Sequence, residues 1–149
     1  MPPNENPPFA VLMVEDNAAD VVWLQHILGQ TKFLHTMFVA KDGESALAFL
    51  RKQNQYASAF DPDLVLLDIH LPKVSGLEVL EQIRSDPRLK HLPVCITTGS
   101  EYERDFIVKR YNLDVRCYLL KPITATAFEA ALGTYEQLKP HLDVWRRSA

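Results

Sequence analysis

At 149 residues the chain is long enough for one domain to bury a core without disulfides or a structural metal. Apolar residues make up 47% and charged residues 23%, with a formal charge of -3; this excludes a disordered chain and leaves no basic stripe for nucleic acid beyond Arg146 and Arg147 beside Trp145. No apolar run approaches the ~20 residues needed to cross a bilayer, and the opening MPPNENPPF lacks the order of a signal peptide. Cys95 and Cys117 form no CxxC pair and read as buried apolar fillers in a reducing, cytoplasmic setting.

Residues 1–8, rich in proline, read as a flexible N-terminal arm, followed by a domain over 9–139 and a C-terminal extension over 140–149. The apolar run 10–14 stops at Glu15, Asp16 and Asn17, the pattern of a strand buried on both faces. Val21, Leu24, Ile27 and Leu28 then share one helical face, with Asp16 or Asn17 as the cap and Gly29 at the end. The alternation repeats: a strand over 36–40, a helix after Asp42 and Gly43 carrying Ala46, Leu47 and Leu50, a long loop over 53–62, and a strand over 64–67 ending at Asp68. Leu77, Leu80 and Ile83 mark a third helix, 93–96 a fourth strand closed by Thr97, Thr98, Gly99 and Ser100, and 102–111 a more polar helix. A fifth strand over 117–120 ends in Lys121 and Pro122, and a last helix spans 124–138. Five apolar strands alternating with five helices predict an α/β fold: a (βα)5, doubly wound, five-stranded parallel sheet with right-handed crossovers.

In open parallel sheets the crevice lies beyond the carboxyl ends of the strands. Glu15 and Asp16, Asp68, Thr98 and Lys121 all occupy such ends, so they are expected to converge. Clustered carboxylates repel unless a cation neutralises them, and hard oxygen donors around an open position suit Mg²⁺ or Mn²⁺. A carboxylate can attack phosphorus to give an acyl phosphate, while a hydroxyl and an ammonium contact the phosphoryl oxygens.

The stretches VLMVEDNAADVVWL, PDLVLLDIHLPKVSGLEVL, PVCITTGS and CYLLKP resemble the four signatures of response-regulator receiver domains, with the flavodoxin-like receiver fold. The resemblance implies that Asp68 is the phosphoacceptor and that Glu15, Asp16, Asp68 and the backbone carbonyl of His70 hold the metal. It further implies Thr98 as the switch hydroxyl, Lys121 as the phosphate-pairing lysine, Tyr118 as the rotating aromatic and a cis Lys121–Pro122 bond. Glu15 stands where the family often has Asp, and His70 and Ser100 occupy positions that tune phosphoryl lifetime. Activity would be limited to self-catalysed phosphoryl transfer and hydrolysis at Asp68. The loop over 53–62, the IRSDPRLKHLPV segment and the tail are similar to the single-domain regulators that partner phytochrome-type sensor histidine kinases. Because the chain ends soon after its fifth helix, output is expected through its own surface, not through DNA.

Other readings stand beside these. Glu15 and Asp16 alone would suit a helix cap, Thr97 adjoins Thr98, Tyr118 would also serve as a core aromatic with a wet hydroxyl, and the His70 ring reads as an exposed loop group. A haloacid-dehalogenase-type phosphatase needs an acid two residues after its aspartate, where this chain has His70; a flavodoxin needs a hydroxyl-rich loop where Glu15 and Asp16 stand. A receiver-like module that binds partners without phosphorylation is the remaining alternative. Finally, Phe106, Ile107 and Tyr111 among mixed charges, with Leu142, Val144 and Trp145 in the tail, predict a homodimer through the fourth helix, fifth strand, fifth helix and C-terminal tail. The alternative is a tail folded back on its own domain.

Overall fold

The computed structural model describes residues 7–111 and 114–148, so the arm over 1–8 lies outside the described residues except for Pro7 and Pro8. The five strands are β1 (Phe9–Val14), β2 (His35–Ala40), β3 (Leu64–Asp68), β4 (Val94–Thr98) and β5 (Tyr118–Leu120). The helices are α1 (Ala18–Gly29), α2 (Gly43–Leu50), α3 (Gly76–Ser85), α4 (Glu101–Tyr111), α5 (Ala125–Leu132) and α6 (Lys139–Ser148). All strand pairs are parallel in the order β2-β1-β3-β4-β5, so the sequential order reverses at β1 and the crevice opens beside it.

Every residue of β1, β3 and β4 is buried because helices cover both faces. Successive side chains alternate between two cores. On one side Val11, Met13, Leu64, Leu66 and Cys95 pack with Leu24 and Leu28 of α1 and Phe128 of α5. On the other, Leu12, Val14, Val65, Leu67 and Ile96 pack with Leu47 of α2, Val79 and Ile83 of α3 and Ile107 of α4. Both cysteines are buried fillers. The loop after α2 is anchored by Tyr56 and Phe60, whose rings meet Phe49 at 5.6 and 5.2 Å. Asn17, not Asp16, caps α1, accepting from the amides of Ala19 and Asp20.

The end of the chain departs from expectation in two ways. The single helix expected over 124–138 stops at Leu132, because the Gly133 and Thr134 amides turn back to the carbonyls of Ala130 and Ala131 and the Thr134 hydroxyl also donates to Ala131. Tyr135 then points inward, its hydroxyl donating to the Val94 carbonyl at 2.8 Å and accepting from the Val94 amide at 3.2 Å. The tail expected at a dimer interface is instead α6, folded back on its own domain. Trp145 is only 2% exposed, packs on Phe33 and Phe128 with centroids at 5.3 and 5.1 Å, and donates its indole N–H to Glu129 at 3.0 Å. Leu142 and Trp145 of α6, with Leu138 just before it, recur at helical spacing and turn one apolar face toward the core.

Candidate functional site

The carboxyl ends of β1, β3 and β5 bring the expected residues together. Lys121 lies at the centre: its Nζ is 2.7 Å from Glu15 Oε1, 3.2 Å from Asp68 Oδ2 and 3.1 Å from Asp20 Oδ2. All three contacts are ion pairs, and the one to Asp20 is also a hydrogen bond donated by the ammonium. Oxygens of Glu15, Asp16 and Asp68 all lie within 4.8 Å of one another. Glu15 and Asp68 are buried, whereas Asp16 faces solvent, so the cluster has a closed floor and an open mouth. The Lys121–Pro122 bond is cis.

Burial pushes the Glu15 carboxyl up to about 7, helped by the neighbouring Asp68 and opposed by Lys121. Burial works against the Lys121 charge, but contacts with Glu15, Asp20 and Asp68 outweigh it and hold the ammonium above its ordinary range. Three carboxylates, those of Glu15, Asp20 and Asp68, thus share one ammonium, and the Asp16 carboxylate stands beside Glu15 and Asp68 as a fourth. That surplus of negative charge around hard oxygen donors fits a divalent cation.

Asp20 is a residue that sequence reasoning missed, although its position one turn after Asp16 on α1 was a readable signal. Gly76 is another. A Cβ there would stand 2.0 Å from the Asp68 carbonyl oxygen, and the Gly76 amide donates to Ile69 at 2.9 Å, so only glycine lets α3 start against the end of β3. The Asp68 side chain is fixed from the other direction by the His70 amide, which donates to Oδ1 at 3.2 Å.

Thr98 and Thr97 diverge by strand alternation. Thr97 lines a small cavity with Glu15, Asp20 and Lys121, while Thr98 accepts from the Ser100 amide at 3.2 Å, at the start of α4. Both are buried. Tyr118 is 3% exposed, so its hydroxyl is not wet; it approaches the Ile107 carbonyl at 3.4 Å, and burial raises its pKa. The His70 ring lies in solvent and pairs with Glu103 at 2.7 Å, a contact that raises its pKa. Ile107, expected on the surface of α4, is buried, and the exposed apolar groups there are Tyr102 and Phe106.

Residues 11–133 match the family model described as the response regulator receiver domain. The chain belongs to that family. The receiver is 41% identical over 121 residues to response regulator Rcp1 of Synechocystis sp., covering 81% of this chain and 82% of Rcp1. Among solved structures, the bacteriophytochrome response regulator AtBRR aligns with a TM-score of 0.78 at 34% identity, covering 90% of this chain and 94% of AtBRR. The Mn²⁺-bound form of Rcp1 aligns with a TM-score of 0.69 at 35% identity over 92% of this chain and 91% of that one. The parallel five-stranded, flavodoxin-like receiver fold and the likeness to phytochrome response regulators thus agree with the sequence motifs.

Proposed function

We propose that this receiver accepts a phosphoryl group on Asp68 from a phytochrome-type sensor histidine kinase, with Mg²⁺ or Mn²⁺ held by Glu15, Asp16, Asp68 and the His70 carbonyl. The observation that carries the reading is the Asp68 carboxylate at the end of β3, 3.2 Å from the Lys121 ammonium and grouped with the oxygens of Glu15 and Asp16. An Asp68 oxygen forms a bond to phosphorus as the N–P bond of a phosphohistidine breaks, and Lys121 turns from its carboxylates to the incoming phosphoryl oxygens. The divalent cation, when bound, supplies positive charge to those oxygens. Thr98 offers its hydroxyl from β4, and Tyr118, beneath α4, responds to the change at Thr98. Chemistry is confined to transfer and hydrolysis at Asp68. The kinase assignment is supported by the phytochrome response regulators among the similar structures.

Incubation with acetyl phosphate should place acid-labile phosphate on the wild type in the presence of Mg²⁺ and none on Asp68→Asn. Equal labelling of the two would move the acceptor elsewhere. No labelling of either, and no beryllofluoride binding, would favour an interaction module that works without phosphorylation.

For output we propose a homodimer in the cytoplasm, formed through α4, β5 and α5 and not through DNA contacts. Tyr102 is 85% and Phe106 62% exposed on α4, and Arg104 of the same helix lines a groove with Leu120, Thr124 and Ala127. With Trp145 committed to its own core, the tail supplies no apolar anchor to this interface. No helix among the described residues is long and apolar enough to cross a membrane. Sedimentation of a Phe106→Asp variant as tightly associated as the wild type would remove α4 from the interface.

A further inference from the structure

The sequence Ser100-Glu101-Tyr102-Glu103 opens α4 with a Ser-x-x-Glu capping box. In that motif the serine side chain accepts from the third helical amide, and the glutamate reaches back to the amide of the serine. Only the first half is made here. Ser100 Oγ accepts from the Glu103 amide at 3.2 Å, and helix hydrogen bonding starts with Arg104 N–H to the Ser100 carbonyl at 3.1 Å. The second half is replaced at both ends. The Ser100 amide donates to Thr98 Oγ1 at 3.2 Å, and the Glu103 carboxylate is turned across the mouth of the site to His70 Nε2, with its oxygens at 2.7 and 3.0 Å.

We propose that Glu103 is a positioning residue that exchanges partners when Thr98 turns: it leaves His70 and completes the capping box on the Ser100 amide. As regards its trigger, this rests on the reading of Thr98 as the hydroxyl that meets the phosphoryl group. Rotation of Thr98 about its Cα–Cβ bond carries Oγ1 away from the Ser100 N–H. That amide is partly buried at the first turn of a helix, where a lost acceptor is costly. Glu103 is already placed by the motif to supply another. The bond it gives up is cheap, since the His70 side chain is 68% exposed and the Glu103 side chain 35%. The two partnerships are therefore close in strength, as an exchange between them requires. In one state α4 is tied to the β3–α3 loop through His70. In the other the first turn of α4 is tightened on itself and the loop beside Asp68 is released.

Amide hydrogen exchange of Ser100 and nuclear Overhauser contacts between the His70 ring and the Glu103 side chain test this in the full chain. Thr98→Val removes the hydroxyl without any phosphoryl group. In that variant Ser100 should keep its protection and the His70–Glu103 contact should vanish. Adding Glu103→Ala should then speed Ser100 exchange about five- to tenfold. Glu103→Gln, which caps as well, should restore protection. In the otherwise wild-type protein Glu103→Ala should leave Ser100 exchange unchanged, because Thr98 is the acceptor; a mere loss of helix stability would not show this dependence on Thr98. A His70–Glu103 contact that persists in Thr98→Val, or Ser100 exchange indifferent to Glu103 in that background, overturns the exchange of partners. Beryllofluoride with Mg²⁺ should reproduce the Thr98→Val pattern. If it does not while Thr98→Val behaves as expected, the phosphoryl trigger is refuted and Thr98 loses the role assigned to it.

Discussion

Replacing Trp145 by alanine measures whether α6 belongs to the domain. The indole is 2% exposed, wedged between Phe33, which precedes β2, and Phe128 of α5, and its N–H is bonded to Glu129 at 3.0 Å. Truncating a buried Trp to Ala costs about 3–5 kcal/mol through lost transfer energy and the cavity left behind. The contact to the partly exposed Glu129 adds about 1 kcal/mol at most. Against a typical domain stability of about 5–15 kcal/mol the loss is large. With a urea slope of about 2 kcal/mol per molar, the unfolding midpoint should fall by about 2 M. The variant should also lose the amide protection of Lys32, whose N–H donates to the Ser148 carbonyl at 3.3 Å. A midpoint lowered by less than about 0.5 M, which is about 1 kcal/mol on the same slope, would mean that α6 is undocked in solution. Trp145 would then be free to anchor an interface after all.

Gly76→Ala forces a methyl group to within 2.0 Å of the Asp68 carbonyl oxygen; it should destabilise by about 3 kcal/mol or more and slow phosphate uptake from acetyl phosphate in the fraction still folded. Lys121→Ala removes the cation shared by Glu15, Asp20 and Asp68, so Mg²⁺ affinity measured by titration should be kept or raised while the structural response to beryllofluoride is lost. An unchanged response would count against Lys121 as the group that reads the phosphoryl oxygens. The Tyr135 hydroxyl, raised to about 12 by burial, binds its proton more tightly in the folded chain. Stability should therefore decline as pH climbs from about 10 toward 12; Tyr135→Phe should flatten that decline in urea titrations and, by leaving the Val94 amide unpaired, cost about 1–3 kcal/mol near neutral pH.

The sheet was legible because its central strands β1, β3 and β4 are buried on both faces. Residues such as Val65, Leu66 and Leu67 have no polar alternative, so short apolar runs stopped by charged groups marked the strands to within a residue or two. Helix ends were less legible. Gly133 and Thr134 interrupt a pattern that remains apolar through Leu138, and the break depends on Tyr135 finding Val94, 41 positions away. The tail posed the same problem in a sharper form. Leu138, Leu142 and Trp145 advertise an apolar face, but nothing local says whether that face meets another copy or this one. The answer lies with Phe33 and Phe128, brought beside Trp145 by the closed fold.

The site divides along the same line. The meeting of Glu15, Asp68 and Lys121 was readable because strand ends in a parallel sheet converge by topology alone, whereas the Thr98 hydroxyl turns to the Ser100 amide. Asp20 and Gly76 matter through contacts made in three dimensions, the one by completing the set of carboxylates around Lys121, the other by having no side chain beside Asp68. Glu103 shows most clearly what a linear reading leaves out. Its spacing from Ser100 spells a complete capping box, yet the fold sends its carboxylate to His70 because Thr98 already occupies the Ser100 amide. A local motif left half made near Asp68 is, on the exchange of partners proposed above, a place where two arrangements compete. Under the function proposed here, such a place is where phosphorylation of Asp68 would have the least work to do in moving α4.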